Sequence, residues 1–570
     1  MSMIALTSAF WAIALAPKVE VTVDCPEGQV VTGERKFRVT VTNTNPDDNV
    51  NQVEFYVGAE LRDSDTSTPY EFRIDSLAEE EGPLKLRFKA FTAEGQSAEK
   101  SITVRIDNGL SKGAGFHIEQ GTVSYSDGKY REAIVSGRIA LKIEEKSVPA
   151  RVLLARANFA LGIFDTAQKF AEDALAIDPV NVAASEVLSG VNLRRAFNTV
   201  SRDNDRAGTL ASIRSAFKQA VEARKRILDA TLDQLGAPTD INLVAYADSA
   251  IRAQRYSLVI NAVAPAFDRD TSRTDLANRL SYAYIRTGRY AEALKVLGTL
   301  KRYGKLDAYS FAAAAVANAQ LGDTVNSDEA IKEALLSNEG DLGVLTAQAF
   351  IALKFNRTNV LANLSNRLVN DRAQRTETWY YFAAVNNRLR RFQEGRRGFE
   401  RSVLSEPTNV DAYIERGNES MGVVTSSKLE QKELDYLYDT ARAFYDTALV
   451  ARPESAEALA GVLTVLLYQN KPSEAVAYGE AAIKASPNSA IAHYAAAAAY
   501  AEQASFLSKQ AGGRISDEVS RFNGLAAAAN RKAGTLDTKF LEGRTIPKEA
   551  DVLKYLTEAG RSPVLSAPSR

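Results

Sequence analysis

A spacing of roughly 34 residues recurs through most of this chain, and no other feature limits its fold as tightly. In "VLLARANFALGIFDTAQKFAEDALAIDP" (152–179), Ala155, Gly162, Ala167, Ala174 and Pro179 stand at fixed offsets along an amphipathic pattern. The stretches 121–141, 279–297, 378–407 and 461–487 repeat the arrangement, with Gly121, Gly128, Tyr130 and Ala133 in the first and Tyr284, Gly288, Tyr290 and Ala293 in the second. Each part of the spacing has a physical use. Small residues let two helices approach, a glycine opens the turn between them, and a proline ends the second helix. A unit this short cannot bury its apolar face alone, so neighbours must stack. At 570 residues the chain also exceeds what one ordinary core supports.

These offsets resemble those of the tetratricopeptide (TPR) family over most of residues 114–490. The resemblance implies an all-α superhelical solenoid, expected over 116–540. Individual units are degenerate. Residues 182–240 are expected to form two longer helices around a joint at "SRDNDRAG" (201–208), and the unit at 418–440 carries "VVTSSKLEQKEL" in place of a tight turn. Residues 541–570 read as a tail or cap, with one short helix and a Pro-rich end.

Before residue 107 the period is two. "VEVTV" (19–23), "KFRVTVT" (36–42), "VEFYV" (53–57), "YEFRI" (70–74), "LKLRFKAF" (84–91) and "SITVRI" (101–106) alternate apolar with polar residues between turn-rich pieces. Such strands predict a small β-sandwich. The motif V-x-F-Y-V, a turn, then D-x-x-x-P-Y-x-F resembles the bacterial Ig-like modules of secreted and surface proteins. The fold class expected is therefore multidomain: an all-β Ig-like sandwich (18–107), a Gly-rich linker (108–115), then the solenoid. Gly58-Ala59-Glu60 stands where an Asn-Gly turn is common, so the hairpin is expected to be wider than two residues. Asp63, Asp65 and Ser67 match the first offsets of a calcium loop, but Thr68 and Ile74 occupy its Gly and Glu positions, so a solvated turn is expected. Residues 1–16 form a short apolar run with small-x-small sites, read as an export signal.

Composition narrows the function classes. The net charge of -1 argues against bulk electrostatic binding to nucleic acid or an anionic membrane. One cysteine, Cys25, allows no intrachain disulfide. Two histidines far apart in sequence offer no metal-ligand spacing, and no cofactor is expected. "GLSKG" (109–113) matches G-x-S-x-G, but a nucleophile elbow needs a buried strand before Ser111 and an α/β sheet to carry its partners, so chance is the better reading. The chain is read as a non-enzyme. The arginines between Arg388 and Arg401 read first as a solvated face, and second as an anchor for carboxylate or phosphate.

TPR solenoids bind through the concave surface formed by the first helix of each pair. Carried over repeat by repeat, the resemblance puts Tyr125, Arg156, Asn278, Tyr282, Tyr309, Tyr380, Asn387 and Arg388 there, a set suited to stacking on a peptide and meeting its amides. The Lys/Asn set that grips a C-terminal carboxylate in chaperone-tail TPRs is not matched, since Tyr282 and Ala384 hold those positions. The expected function is a protein- or peptide-binding scaffold of the cell envelope or exterior, secreted or periplasmic, with no membrane span and no nucleic acid. The alternative is an adhesion-type protein whose Ig-like module contacts a surface glycan or another envelope component while the solenoid is a spacer.

Overall fold

The computed structural model describes residues 19–198, 205–372, 375–537, 545–559 and 563–568. The expected export signal (1–16) and the first half of the joint at 201–208 lie outside the described residues. The chain divides into two compact units, Met1–Pro179 and Val180–Arg570.

Among its described residues the first unit begins with eight strands: β1 (Val19–Val23), β2 (Val30–Val31), β3 (Glu34–Asn43), β4 (Val50–Val57), β5 (Glu60–Asp65), β6 (Tyr70–Asp75), β7 (Gly82–Thr92) and β8 (Ser97–Ile106). They form two sheets, ordered β1-β3-β6 and β2-β8-β7-β4-β5. Alternation works as expected: Val53, Phe55 and Val57 on β4, and Tyr70, Phe72 and Ile74 on β6, all face the core. These two runs lie in different sheets and meet across the sandwich, with the Phe55 and Phe72 rings stacked 5.4 Å apart and Phe88 5.0 Å from Phe55. The hairpin partner of β4 is instead β5, a strand without apolar alternation. Its side chains are almost all exposed, because it is the sheet edge and has no face in the core. The hairpin is narrower than expected. Val57 pairs with Glu60, leaving only Gly58 and Ala59 as the loop, and Gly58 supplies the positive φ of 61° that such a turn needs. Asp65 closes the next turn, accepting from the Ser67 amide at 3.0 Å and the Glu71 amide at 3.1 Å. Those bonds hold its carboxyl below the ordinary range.

Four helices complete this unit: α1 (Ala114–Ser126), α2 (Tyr130–Ile143), α3 (Val148–Ala160) and α4 (Phe164–Ile177). The Gly-rich stretch before them is tied down. Asn108 is buried, accepts from Ser76 Oγ at 2.5 Å and donates to the Ser76 carbonyl at 3.1 Å. His117 Nε2 pairs with the Gly109 carbonyl at 2.8 Å. Arg138 of α2 forms an ion pair with Asp75, and Lys142 donates to the Leu77 carbonyl at 2.6 Å. Ser111 sits exposed on a single 3₁₀ turn, Leu110–Lys112, with no nucleophile-elbow geometry around it.

The second unit carries nine helix pairs among its described residues. They are α5 (Val182–Asn198) with α6 (Arg206–Gln234), α7 (Leu243–Arg252) with α8 (Tyr256–Arg269), α9 (Thr274–Arg286) with α10 (Tyr290–Arg302), and α11 (Ala308–Gln320) with α12 (Thr324–Asn338). Then come α13 (Leu342–Lys354) with α14 (Thr358–Arg372), α15 (Thr376–Arg388) with α16 (Phe392–Ser405), and α17 (Val410–Ser426) with α18 (Gln431–Ala451). The last two pairs are α19 (Ala456–Tyr468) with α20 (Pro472–Ala485), and α21 (Ala490–Gln510) with α22 (Asp517–Leu536); a short α23 (Glu549–Lys554) follows. The repeat is visible in the backbone. Positive φ marks the turn inside successive pairs at Gln254, Gly288, Gly322, Asn356 and Arg390, each 34 residues after the last. The extra residues at 418–440 lengthen α17 and α18, and the connection between them is only Ser427–Glu430.

These pairs curl until the unit closes on itself. α6 packs on α18, and Lys225 donates to the Val450 carbonyl at 3.3 Å. Arg224 grips Glu406 with two parallel bonds of 3.1 and 2.9 Å. Phe217 of α6 packs on Phe399 of α16 at 6.4 Å and on Tyr413 of α17 at 5.7 Å. The concave side of the array is thereby an interior, which is why α9, α11, α13 and α15 bury residues on every face.

Candidate functional site

A cavity of about 720 Å³ lies inside the second unit. First helices of successive pairs build it: Asp248 and Arg252 from α7, Tyr282 and Arg286 from α9, Tyr309 from α11, Gly343 from α13, Glu377 from α15 and Asp411 from α17. The local reasons are visible in sequence. Tyr282 and Arg286 stand one helical turn apart and so share a face of α9. Gly343 leaves room for a neighbour; a Cβ there would stand 2.5 Å from the Tyr309 ring.

The electrostatics are those of buried, paired charge. Arg286 donates to Asp411 Oδ2 at 2.6 Å, and its guanidinium lies 5.6 Å from the centre of the Tyr256 ring. Burial alone would favour the neutral form of Arg286, but Asp411 reverses this and holds its proton more firmly than usual. Burial also pushes the Tyr282 and Tyr309 hydroxyls well above the ordinary phenol range and raises the Glu377 carboxyl. Among the described residues that line this cavity, three polar atoms are buried without a protein hydrogen-bond partner: the Tyr309 hydroxyl, Asp411 Oδ1 and Arg286 Nε. Each is costly to leave unmet unless a ligand or a water meets it.

One further element enters this cavity. Residues 563–568, "PVLSAP", carry no helix, strand or turn, and 564–568 line it together with the first helices. Val564, Leu565 and Ser566 are buried at 5%, 1% and 4% exposure. Side chains from three different first helices hold this backbone. Arg286 donates to the Pro563 carbonyl at 2.8 Å, the Val564 amide donates to the Tyr381 hydroxyl at 3.0 Å, and the Ser566 amide donates to Thr346 Oγ1 at 3.2 Å. α23 leads toward this segment by packing on α19 and α21, burying Val552 and Leu553. The stretch read as a tail or cap thus runs along first helices.

The eight residues singled out from the repeat register fall in four settings. Tyr282 and Tyr309 line the cavity. Asn278 is buried between α9 and α11, donating to Asp307 at 2.9 Å and accepting from Ser310 at 2.7 Å. Tyr380 is buried with its ring 5.0 Å from that of Tyr381. Asn387 bonds Glu419 and is half-buried, while Arg388 is exposed and donates to Asn356 at 3.0 Å. Tyr125 and Arg156 belong to the first unit, where the exposed guanidinium lies 5.5 Å from the ring centre. Arg390, Arg391, Arg396, Arg397 and Arg401 are all exposed, and Arg401 lies over the Trp379 ring at 5.6 Å. Sequence reasoning did not single out Arg286, Thr346, Tyr381, Glu377 or Asp411. The helical spacing from Tyr282 leads to Arg286, and no local signal leads to the others.

A second cavity of about 630 Å³ in the same unit is lined by Arg289, Tyr290, Glu457 and Tyr555, among others. Among the described residues no cluster of His, Cys, Asp and Glu could hold a metal ion, and no helix is long and apolar enough to cross a membrane.

Residues 17–104 match the sequence profile of the bacterial Ig domain family. A search of curated proteins finds no match. Among solved structures, the crystal structure of yeast Tom70 is similar at a TM-score of 0.33 and 13% identity, covering 74% of this chain and 98% of that one. The APC/C hetero-tetramer Cut9-Hcn1 is similar at a TM-score of 0.28 and 12% identity, covering 77% of this chain and 96% of that one.

Proposed function

We propose that this chain is a non-enzymatic, protein-binding scaffold of the cell envelope or exterior, and that it takes a linear peptide into the groove formed by the first helices of its second unit. One observation carries the reading: side chains of α9, α13 and α15 already hold the backbone of a non-helical segment there, at Pro563, Val564 and Ser566. Recognition through the main chain suits a linear peptide, because every residue offers the same amide and carbonyl. Tyr282 and Tyr309 supply rigid ring surface beside it, and the unpartnered Tyr309 hydroxyl offers one more bond. The bacterial Ig domain at the front supports the envelope setting.

Tyr309→Phe in the full chain tests this reading. Its hydroxyl has no partner in the fold, so removing it is expected to leave the melting temperature unchanged or slightly raised. Co-purification of the partner is expected to fall several-fold. Unchanged capture, or a loss of stability in step with capture, contradicts the reading.

A second reading rests on β5, the exposed edge of the five-stranded sheet, whose free backbone could add a strand from a partner. In that case Arg62→Pro on β5 abolishes capture and Tyr309→Phe does not.

A further inference from the structure

The segment 563–568 behaves as a ligand rather than as a core element in the way it is held. It makes no regular secondary structure, and the side chains that bond its backbone at Pro563, Val564 and Ser566 come from three different helices, α9, α15 and α13. It is also an incomplete fit. Beside it the Tyr309 hydroxyl and Asp411 Oδ1 stay buried without partners, and open space remains in the cavity that the segment shares with the first helices. Its chemistry is specific: no charge, two successive aliphatic side chains at Val564 and Leu565 that are almost wholly buried, then the small buried Ser566, then Ala567, which is exposed.

We infer that residues 563–568 are an intramolecular stand-in for the partner. The groove takes an uncharged linear peptide with two adjacent aliphatic residues followed by a small one, and the chain's own segment must leave before such a peptide enters. This rests on the peptide-groove reading above and adds the partner's chemistry and a built-in competitor. A tethered segment acts at an effective concentration in the millimolar range, so an outside peptide of equal intrinsic affinity is held off until it outcompetes that value. A partner that also satisfies Tyr309 and Asp411 gains bonds that the chain's own segment lacks, and this gives it the means to displace it.

The test uses the full chain and a labelled synthetic peptide of sequence SPVLSAP, residues 562–568. Leu565→Asp places a charge in a 1% exposed site and should expel the segment. By fluorescence polarisation the Leu565→Asp chain is expected to bind the peptide at least about tenfold more tightly than the unaltered chain. Adding Tyr381→Phe, which removes the acceptor of the Val564 amide, is expected to weaken that binding several-fold. Equal affinity in both chains, or no binding by a Leu565→Asp chain that melts cooperatively, overturns the inference.

Hydrogen exchange in the unaltered chain decides independently of whether the variant folds. The Val564 and Ser566 amides are expected to exchange by local opening, well before the amides of α11 and α13. Exchange of all of them together overturns the inference and makes the segment part of the core. Concentration-dependent dimerisation of the unaltered chain, with the segment exchanged between copies, overturns it as well. Failure of the peptide to bind while Tyr309→Phe still impairs partner capture would remove the stand-in and leave the scaffold reading intact.

Discussion

Gly33 stands where two constraints meet. Its φ is 75°, and a Cβ on it would lie 2.8 Å from Val135 of α2, so any larger residue strains the backbone and pushes the sandwich away from the helix it rests on. Its amide also donates to Ser76 Oγ, the hydroxyl that in turn meets Asn108. Gly33→Ala is expected to destabilise the first unit by roughly 1–3 kcal/mol in urea denaturation. Lys354 gives a different signal. It is largely buried at the end of α13, donates to Gln320 at 2.6 Å, and burial pulls its ammonium down to about 8. Between pH about 8 and 10.5 the unfolded chain binds a proton at this lysine that the folded chain does not, so this residue's contribution to stability rises with pH across that window. The unfolding free energy of the unaltered chain minus that of Lys354→Met is expected to rise as pH climbs through it. A pH-independent difference would contradict the assignment.

At the scale of elements, the 34-residue register carries a cost that glycine relieves. Gln254, Asn356, Arg390 and Asn470 hold positive φ where Gly288 and Gly322 hold it freely. Arg390→Gly is therefore expected to raise the urea midpoint, by the equivalent of roughly 0.5–1 kcal/mol, and Gly288→Ala to lower it by a similar amount. The same register explains what was legible beforehand. Alternation marks β1, β3, β4, β6, β7 and β8, the small-residue offsets mark the helix pairs, and the two-residue β2, which buries Val31, is too short to show a period. β5 escapes because an edge strand with polar side chains on both faces has no pattern to read. The narrow Gly58-Ala59 turn escapes because sequence reading expected Asn-Gly chemistry, whereas a glycine at the first loop position meets the same need. Of the site, the register leads to Tyr282 and Tyr309, which line the cavity, and to Asn278 and Tyr380, which pack between helices. That split follows from curvature. A first helix meets both its neighbours and the interior, and only the tightness of the curl decides which side chains still reach open space.

For each unit as a whole, closure is the property that no local pattern encodes. Arg286 and Asp411 lie 125 residues apart and meet because α6 returns to α18, and the 563–568 segment reaches Arg286 across 277 residues. The second unit thereby turns a concave face into an enclosed groove and fills it with its own chain. In the first unit the Ig module is fastened to α2 through Asp75, Leu77 and Gly33. On the proposed reading, recognition lies in the groove of the second unit. Photo-cross-linking in the full chain addresses it most directly: a photoreactive phenylalanine placed at Tyr309, and in a parallel chain at Arg62 on β5, each irradiated with the partner bound. The expected result is a cross-link to the partner from position 309 and none from position 62. A cross-link from position 62 with none from 309 would contradict the account and assign recognition to the Ig module.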